Sequence, residues 1–387
     1  MKQTISILGS TGSVGLSTLK IIDKKKNLFK IEILSANQNF KLATKQIKKY
    51  KPRFFIIANI NIYKKLKNNF KNKKVKIINN FNHINLKKKI DITVSAIPGI
   101  AGLKPTIIMT KLSKKILIAN KESVICGWNL IQNNAKRYKT KLIPVDSEHY
   151  SILKLLENHK INEIKKIYIT ASGGPFLNYK VHQLKNIKLE DALKHPKWKM
   201  GKKITVDSSN LMNKILELIE AKKIFDIPEK KLDVIIHPEC LIHAIIQLKN
   251  GLNKIIYHET SMIIPLANAI FDNNLNIEEF LKTKKNIKGN NIKNLTFKKV
   301  NSKIFPAIKL KKRLFELPST PIVINAVNEV LVGQFLKKKI PFISFFKSIM
   351  SILNDRNYKK YAIKQPNNIK EILLIDAWAR KTILNKL

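Results

Sequence analysis

The first twenty-two residues constrain this chain more than any other stretch. Residues 4–8 (Thr-Ile-Ser-Ile-Leu) have the character of a buried strand, and Gly9-Ser10-Thr11-Gly12-Ser13-Val14-Gly15 follows at once. A helical pattern then begins, with Leu16, Leu19, Ile21 and Ile22 on its apolar side. Strand, glycine turn and helix in succession form the context in which a nucleotide fingerprint carries weight. The spacing Gly-x-x-Gly-x-x-Gly differs from the commoner Gly-x-Gly-x-x-Gly, but the physics is shared. Glycine permits the sharp turn, and bare amides at the helix N-terminus face a pyrophosphate. A glycine-rich turn with no ligand is the bland alternative.

Further apolar strands are expected at residues 31–35, 54–58, 75–78, 92–96, 116–119 and 141–145, so residues 1–149 read as a doubly wound domain. The second strand runs into Ala36-Asn37-Gln38-Asn39, which offers no Asp or Glu to the ribose hydroxyls of NAD and so favours NADP(H). Ile97-Pro98-Gly99-Ile100-Ala101-Gly102 is a second glycine-bearing strand-end loop. Asn120-Lys121-Glu122-Ser123 stands at the carboxyl end of its strand, the edge where open parallel sheets bind ligands. A lysine there can meet an anionic oxygen or polarise a carbonyl, and the neighbouring Asn and Glu can hold a cofactor's sugar or amide. A surface loop carrying a Lys–Glu pair is the plain alternative.

Pro144-Val145-Asp146-Ser147-Glu148-His149 sets two carboxylates close together in a chain with 26 acidic and 74 Lys and Arg residues. On an extended backbone, residues i and i+2 point the same way, so Asp146 and Glu148 are expected to share a face. Two hard oxygen donors suit Mg²⁺ or Mn²⁺. The competing reading makes them the N-cap and first turn of a helix expected at 150–157.

With 387 residues, the chain suggests two or three domains. It has no apolar run near the ~18 to 20 residues a membrane span needs, and its N-terminal apolar run is too short for a signal peptide. Cys126 and Cys240 are isolated, which indicates neither a disulfide framework nor a zinc site and points to a reducing, cytoplasmic compartment. The formal charge of +48 invites a nucleic-acid role. Yet clusters such as residues 24–26, 87–89 and 337–339 are spread along the chain, and no nucleic-acid module appears. Distributed charge bears on solubility and on drawing in an anionic substrate, so neither specific nucleic-acid binding nor membrane binding is expected.

A second region begins near Tyr150. A strand at 166–170 leads to Ala171-Ser172-Gly173-Gly174-Pro175-Phe176, whose exposed amides and hydroxyl suit an anion nest. His195-Pro196-Lys197-Trp198-Lys199-Met200-Gly201 puts large apolar side chains on a loop, as a lid over a ligand does; a loop packed on its own domain is the alternative. In the run from Thr205 to Glu217, Ser208 or Ser209 is expected to cap a helix carrying Asn213 and Lys214 in its first turn. Asn213, Lys214 and Glu217 then share a face, which suits phosphate, and Glu217 is available to complete a metal site with Asp146 and Glu148. An ordinary Lys–Glu helix pair is the commoner fate of such spacing. A hairpin is expected around Asn250-Gly251, a lysine- and asparagine-rich connector at 277–300, and helices from 301 to 387 with no catalytic motif of their own.

Together these stretches resemble the 1-deoxy-D-xylulose 5-phosphate reductoisomerases, NADPH-dependent enzymes of the non-mevalonate isoprenoid pathway. The match runs through Gly9-Ser10-Thr11-Gly12-Ser13, Ala119-Asn120-Lys121-Glu122-Ser123, Pro144-Val145-Asp146-Ser147-Glu148-His149 and Ser172-Gly173-Gly174-Pro175-Phe176. It continues through His195-Pro196-x-Trp198-x-Met200-Gly201, Val206-Asp207-Ser208, Met212-Asn213-Lys214, Glu217 and Asn325-Ala326-x-Asn328-Glu329. The resemblance implies an α/β fold with a Rossmann-like NADPH-binding domain (1–149), a central α/β catalytic domain that also forms a homodimer (150–276), the 277–300 connector and a C-terminal α-helical bundle (301–387). It implies Asp146, Glu148 and Glu217 as ligands of a divalent cation (Mg²⁺ or Mn²⁺, with Co²⁺ a further option). Lys121, Glu148, His195 and Glu217 take the catalytic roles. Lys121, Ser147 and Glu148 contact the sugar backbone of a phosphorylated substrate. Ser172, Ser208, Asn213 and Lys214 hold its phosphate, and His195, Trp198 and Met200 close over it. Gly9, Thr11, Gly12, Ser13, Val14, Asn37, Gln38, Asn39, Asn120, Glu122 and Gly201 fall at cofactor positions.

Two departures stand out. The family's usual Gly-Lys-Asn is here Asn37-Gln38-Asn39, which removes a lysine from the 2′-phosphate, and its Pro-Asp-Met is Thr260-Ser261-Met262. Two rivals keep the fold. A semialdehyde dehydrogenase needs a nucleophilic cysteine with a histidine partner, and Cys126 is the one candidate in the first half. A basic nucleic-acid or scaffold protein would show salt-sensitive polyanion binding without turnover.

Overall fold

The computed structural model describes residues 2–71, 73–197, 201–281 and 294–387, and its chain divides into two compact units. Unit 1 gathers Met1–Ser123, Asn129–Tyr150 and Ser261–Asn291; unit 2 gathers Val124–Trp128, Ser151–Thr260 and Ile292–Leu387.

In unit 1, strands and helices alternate: β1 (Gln3–Leu8), α1 (Ser13–Lys24), β2 (Phe29–Ala36), α2 (Phe40–Tyr50), β3 (Phe54–Ile57), α3 (Ile60–Asn69) and β4 (Lys76–Ile78). There follow β5 (Ile90–Ser95), α4 (Leu103–Leu112), β6 (Ser113–Ile118), α5 (Lys121–Arg137), β7 (Lys141–Pro144) and α6 (Ser147–Leu155). The seven strands are all parallel, in the order β4-β3-β2-β1-β5-β6-β7. Crossover helices cover such a sheet, which is why its strands are apolar at nearly every position instead of alternating. Ile5, Ile7, Leu8, Ile33, Leu34, Phe55, Ile56 and Ile57 are all fully buried. The strand order reverses between β1 and β5, and a ligand crevice opens at the carboxyl ends of strands around such a switch point.

Unit 2 continues with β8 (Ile164–Ala171), α7 (Leu189–Ala192), α8 (Lys202–Ser209), α9 (Met212–Phe225), β9 (Leu232–Ile236), β10 (Ile242–Leu248) and β11 (Asn253–Tyr257). The β10–β11 hairpin turns where Asn250-Gly251 predicts it, with Gly251 at a φ of 92°. The chain then supplies unit 1 with α10 (Ile263–Ile270), where Lys115 Nζ donates to the Ala269 carbonyl at 2.9 Å. Back in unit 2, β12 (Lys298–Lys299) closes a mixed sheet ordered β11-β10-β8-β9-β12, in which, among the described residues, only β8 and β9 run parallel. The C-terminal stretch is helical, through α11 (Thr320–Leu336), α12 (Ser344–Leu353), α13 (Tyr358–Ala362) and α14 (Ile369–Leu384). Ile322, Val323, Ile324, Ala326 and Val327 are buried on every side of α11, as expected of a helix in a bundle's interior. Among the described residues, no helix is long and apolar enough to cross a membrane.

Candidate active site

The glycine turn stands where the sequence places it. Gly9 has a φ of 80°, and a Cβ there would lie 2.5 Å from the Ala96 carbonyl oxygen, so the tight passage between β1 and β5 requires glycine. Gly12 is the N-cap of α1; no side chain caps this helix and no acid stands in its first turn. The Gly12 N–H donates to the Gly9 carbonyl at 3.0 Å, and the amides near Thr11, Ser13 and Val14, which no side chain caps, suit an anionic group. Asn37, Gln38 and Asn39 form the exposed loop after β2. Asn39 has a structural task, since its Oδ1 accepts from the Leu42 N–H at 3.0 Å and caps α2.

Two strands along the same edge, Asn120 caps α5 by accepting from the Ser123 N–H at 2.7 Å. Its Nδ2 donates to the Ile97 carbonyl at 2.5 Å, the Gly99 carbonyl at 3.1 Å and Glu122 Oε2 at 3.0 Å. One carboxamide thus fixes the second glycine loop to the start of α5 and holds Lys121 at the sheet edge. Lys121, only 9% exposed, donates from Nζ to Asp146 Oδ2 at 2.5 Å.

The local form of the acidic pair corrects one expectation. Asp146, Ser147 and Glu148 are not an extended run, because α6 starts at Ser147 instead of near residue 150. The Asp146 carbonyl accepts from the Tyr150 N–H at 2.8 Å, and its Oδ1 lies 3.4 Å from the Glu148 N–H, as at a helix N-cap. Orphan amides of the first turn favour this arrangement over continuing the strand, and acids are stabilised there. Ser147 Oγ donates to Glu148 Oε2 at 2.6 Å. The competing helix-cap reading describes the local geometry, while the carboxylates keep the hard-oxygen character that suits a divalent ion.

In unit 2, β8 delivers Ser172-Gly173-Gly174 to its carboxyl end. Gly174, at a φ of 59°, lies so close to α8 that a Cβ would come within 3.1 Å of the Ser209 Cα. This contact sets the Ser172 loop beside Ser208 and Ser209. Ser172 Oγ accepts from the Gly174 N–H at 3.0 Å and lies 3.1 Å from His195 Nε2. The Lys197 N–H donates to His195 Nδ1 at 3.2 Å, so the ring's proton is on Nε2 and is donated to Ser172. With two bonds accepted, the Ser172 hydroxyl keeps its own proton for an acceptor. Burial, and then the charge of Lys214, push the His195 pKa down from 6.5 to about 4. The ring is neutral at physiological pH.

Neither Ser208 nor Ser209 caps the next helix, contrary to expectation. Both lie inside α8, and Asn210 Oδ1 accepts from the Met212 N–H at 2.9 Å instead. Between the two helices, Leu211 adopts a φ of 64°, a left-handed conformation that costs a branched residue about 1 kcal/mol or more. The break allows α9 to restart with Asn213 and Lys214 in its first turn. Lys214 Nζ lies 2.8 Å from Glu217 Oε2, and Asn213 Nδ2 donates to Glu217 Oε1. Gly201 is the N-cap of α8. Trp198 and Met200 lie outside the described residues.

Supporting residues were less visible in the sequence. Asp207, 1% exposed, accepts from Asn328 Nδ2 at 2.8 Å and pairs with Lys203 at 3.2 Å, fastening α8 to α11. The Asn-Ala-x-Asn-Glu stretch carried that signal, yet its partner lies 121 residues away. Cys126 is buried in α5, where its sulfur accepts from Asn325 Nδ2 at 3.7 Å. Those surroundings suit packing more than nucleophilic attack.

Three family models match the chain. One described as 1-deoxy-D-xylulose 5-phosphate reductoisomerase covers residues 5–127, and two for C-terminal domains of that enzyme cover 142–225 and 259–382. The chain is 46% identical over 373 residues to the reductoisomerase of Pelagibacter ubique, with 95% of each chain covered. It is 39% identical over 382 residues to that of Wolbachia from Drosophila simulans, covering 97% of this chain and 95% of the relative. A solved reductoisomerase in complex with NADPH, fosmidomycin and magnesium superposes with a TM-score of 0.90 at 29% identity, covering 99% of this chain and 98% of the other. The Zymomonas mobilis enzyme in complex with NADPH gives 0.86 at 29% identity, covering 100% and 99%.

Proposed function

The chain belongs to the 1-deoxy-D-xylulose 5-phosphate reductoisomerase family, and from that premise we propose which of its residues do what. The reaction is metal-dependent isomerisation of 1-deoxy-D-xylulose 5-phosphate and NADPH-dependent reduction to 2-C-methyl-D-erythritol 4-phosphate. The observation that carries this reading is the Lys121–Asp146 pair at the carboxyl edge of a nucleotide-type sheet, with Glu148 two residues on in the first turn of α6. A buried lysine set against acids there suits a substrate with oxygens to chelate and charge to neutralise.

The donor set fits a hard divalent cation, and the glycine turn fits a pyrophosphate. Asp146, Glu148 and Glu217 are the proposed metal ligands. Gly9, Thr11, Gly12, Ser13, Val14, Asn37, Gln38, Asn39, Asn120, Glu122 and Gly201 are the proposed cofactor contacts. When bound, the cation supplies Lewis-acid polarisation of substrate oxygens and NADPH supplies hydride. Lys121, Ser147 and Glu148 orient the sugar backbone. Ser172 offers its remaining hydroxyl proton, and Lys214 its charge, to the phosphate, with Ser208 and Asn213 beside them. Neutral His195 holds Ser172 in place and, with Trp198 and Met200, covers the substrate and excludes water. The division at 1–149, 150–276, 277–300 and 301–387 belongs to the same reading.

A homodimer through unit 2 is supported by β11, an edge strand whose Ile255 and Tyr257 are 47% and 43% exposed. A cytoplasmic setting is supported by Cys126 and Cys240, both buried and held as thiols. The semialdehyde dehydrogenase reading is not favoured, since it requires Cys126 to be an accessible nucleophile. The decisive assay follows loss of reduced-nicotinamide absorbance with 1-deoxyxylulose 5-phosphate, with and without Mg²⁺ or Mn²⁺. Metal-dependent oxidation is expected, and folded protein that oxidises no NADPH with either metal would refute the reading. Repeating it with NADH measures what the missing lysine near Gln38 costs in cofactor preference.

A further inference from the structure

Gln46 is a polar residue that α2 buries to 3% exposure on the face it shares with Ala43 and Ile47. A carboxamide there is costly unless each of its polar atoms finds a partner. Both partners are on one residue of the glycine turn, 36 positions earlier. Gln46 Oε1 accepts from Ser10 Oγ at 2.6 Å, and Nε2 donates to the Ser10 carbonyl at 2.9 Å. The strand beside them completes the hold. The Ser35 carbonyl accepts from the Ser10 N–H at 2.8 Å, with Ser10 Oγ at 3.0 Å, and Ser35 Oγ accepts from the Gly9 N–H at 2.9 Å.

The Ser10 carbonyl and the Thr11 N–H belong to one planar trans peptide, so they point in opposite directions. Drawing the carbonyl inward onto Gln46 therefore turns the Thr11 N–H outward, at the start of the uncapped turn that opens α1. We propose that Gln46 is a positioning residue for the cofactor: by fixing the Ser10–Thr11 peptide it aims the turn's amides at the pyrophosphate of NADPH. It also ties that turn to α2, whose N-terminus carries the Asn37-Gln38-Asn39 loop, so one side chain couples the pyrophosphate and adenosine ends of the cofactor cradle. The inference rests on unit 1 being the NADPH-binding part.

The test replaces Gln46 by methionine, which keeps the length and removes both hydrogen bonds, in the full-length protein. NADPH affinity is read by nicotinamide fluorescence without substrate, and steady-state constants are read with it. Gln46→Met weakens NADPH binding by roughly tenfold or more, with a parallel rise in its KM, while kcat at saturating NADPH and the KM for the sugar phosphate stay within about twofold. Amide exchange of residues 9–12 in the cofactor-free protein accelerates, while β5 keeps its protection. Ser10→Ala, a milder change that guards against a folding defect, shifts the NADPH KM in the same direction by roughly threefold. Native NADPH affinity in both variants, or an equal loss in kcat and in the KM for the sugar phosphate, overturns the proposal. A wild-type protein that fails to bind NADPH overturns the cofactor reading itself and this inference with it, an outcome distinct from variants that bind as well as wild type.

Discussion

Glu217 is 1% exposed, held between the amide of Asn213 and the ammonium of Lys214. A buried carboxylate needs such partners, and a helix pair alone would satisfy it. The proposed role as metal ligand separates from that plain one by a single substitution. Glu217→Gln keeps shape and hydrogen-bonding capacity but loses the charge a divalent ion requires. With several kcal/mol of transition-state stabilisation at stake, turnover should drop by roughly 10³-fold or more while NADPH affinity stays near native. Near-normal turnover would leave Glu217 as a structural partner of Lys214. His195 gives a second residue-scale test. Its pKa is lowered from 6.5 to about 4 by burial and by Lys214, so the unfolded chain takes up a proton in that window before the folded chain does. Stability linked to the neutral ring is complete above pH 6.5 and is lost as the pH falls toward 4. An NMR titration of the ring, assigned through His195→Gln, should give a midpoint near 4, and saturating inorganic phosphate should raise it by offsetting Lys214. A midpoint of 6.5, insensitive to phosphate, would separate His195 from the anion cluster.

At the scale of elements, the α8–α11 link turns a remote helix into part of the site's support. Asn328 on α11 gives Asp207 one of its hydrogen bonds, and α8 carries Ser208 to the Ser172 loop. Asn328→Leu leaves a buried carboxylate short of a donor, at a cost of about 1–3 kcal/mol. Thermal unfolding should shift down, and the KM for the sugar phosphate should rise while NADPH affinity in unit 1 holds. Unchanged stability and KM together would mean that Lys203 alone suffices for Asp207. Links of this kind explain what the sequence could and could not say. The strand–turn–helix at Gly9 and the strand ends at Asn120 and Ser172 were legible because apolar runs and glycines report local form directly. Whether Asp146 to Glu148 continued a strand or opened a helix turned on competition between nearby amides, which residue type leaves open. Ser208 and Ser209 looked like caps, but Asn210 took that task and the serines fell within α8. Gln46 gave no local signal and Asn328 gave a motif without a partner, because each acquires its meaning from a residue 36 or 121 positions away.

For the whole molecule, charge and the free sheet edge act against each other. A formal charge of +48 on 387 residues drives copies of the chain apart at low ionic strength. Among the described residues, β11 pairs only with β10, and its outer edge presents unpaired backbone groups beside exposed Ile255 and Tyr257. Proteins usually protect such an edge with charge or cover it, so an apolar one calls for a partner strand. A second copy of β11 would satisfy its backbone groups and bury both side chains, and screening would ease the repulsion over the Debye length of about 8 Å at physiological salt. Light scattering should therefore give twice the 44.5 kDa chain mass, with association strengthened by added salt. Ile255→Lys combined with Tyr257→Lys puts two more cations on the edge, and should yield a monomer that still binds NADPH in unit 1. A double variant that stays dimeric would move the interface off β11, and a wild-type monomer at every salt concentration would remove the dimer from the proposal.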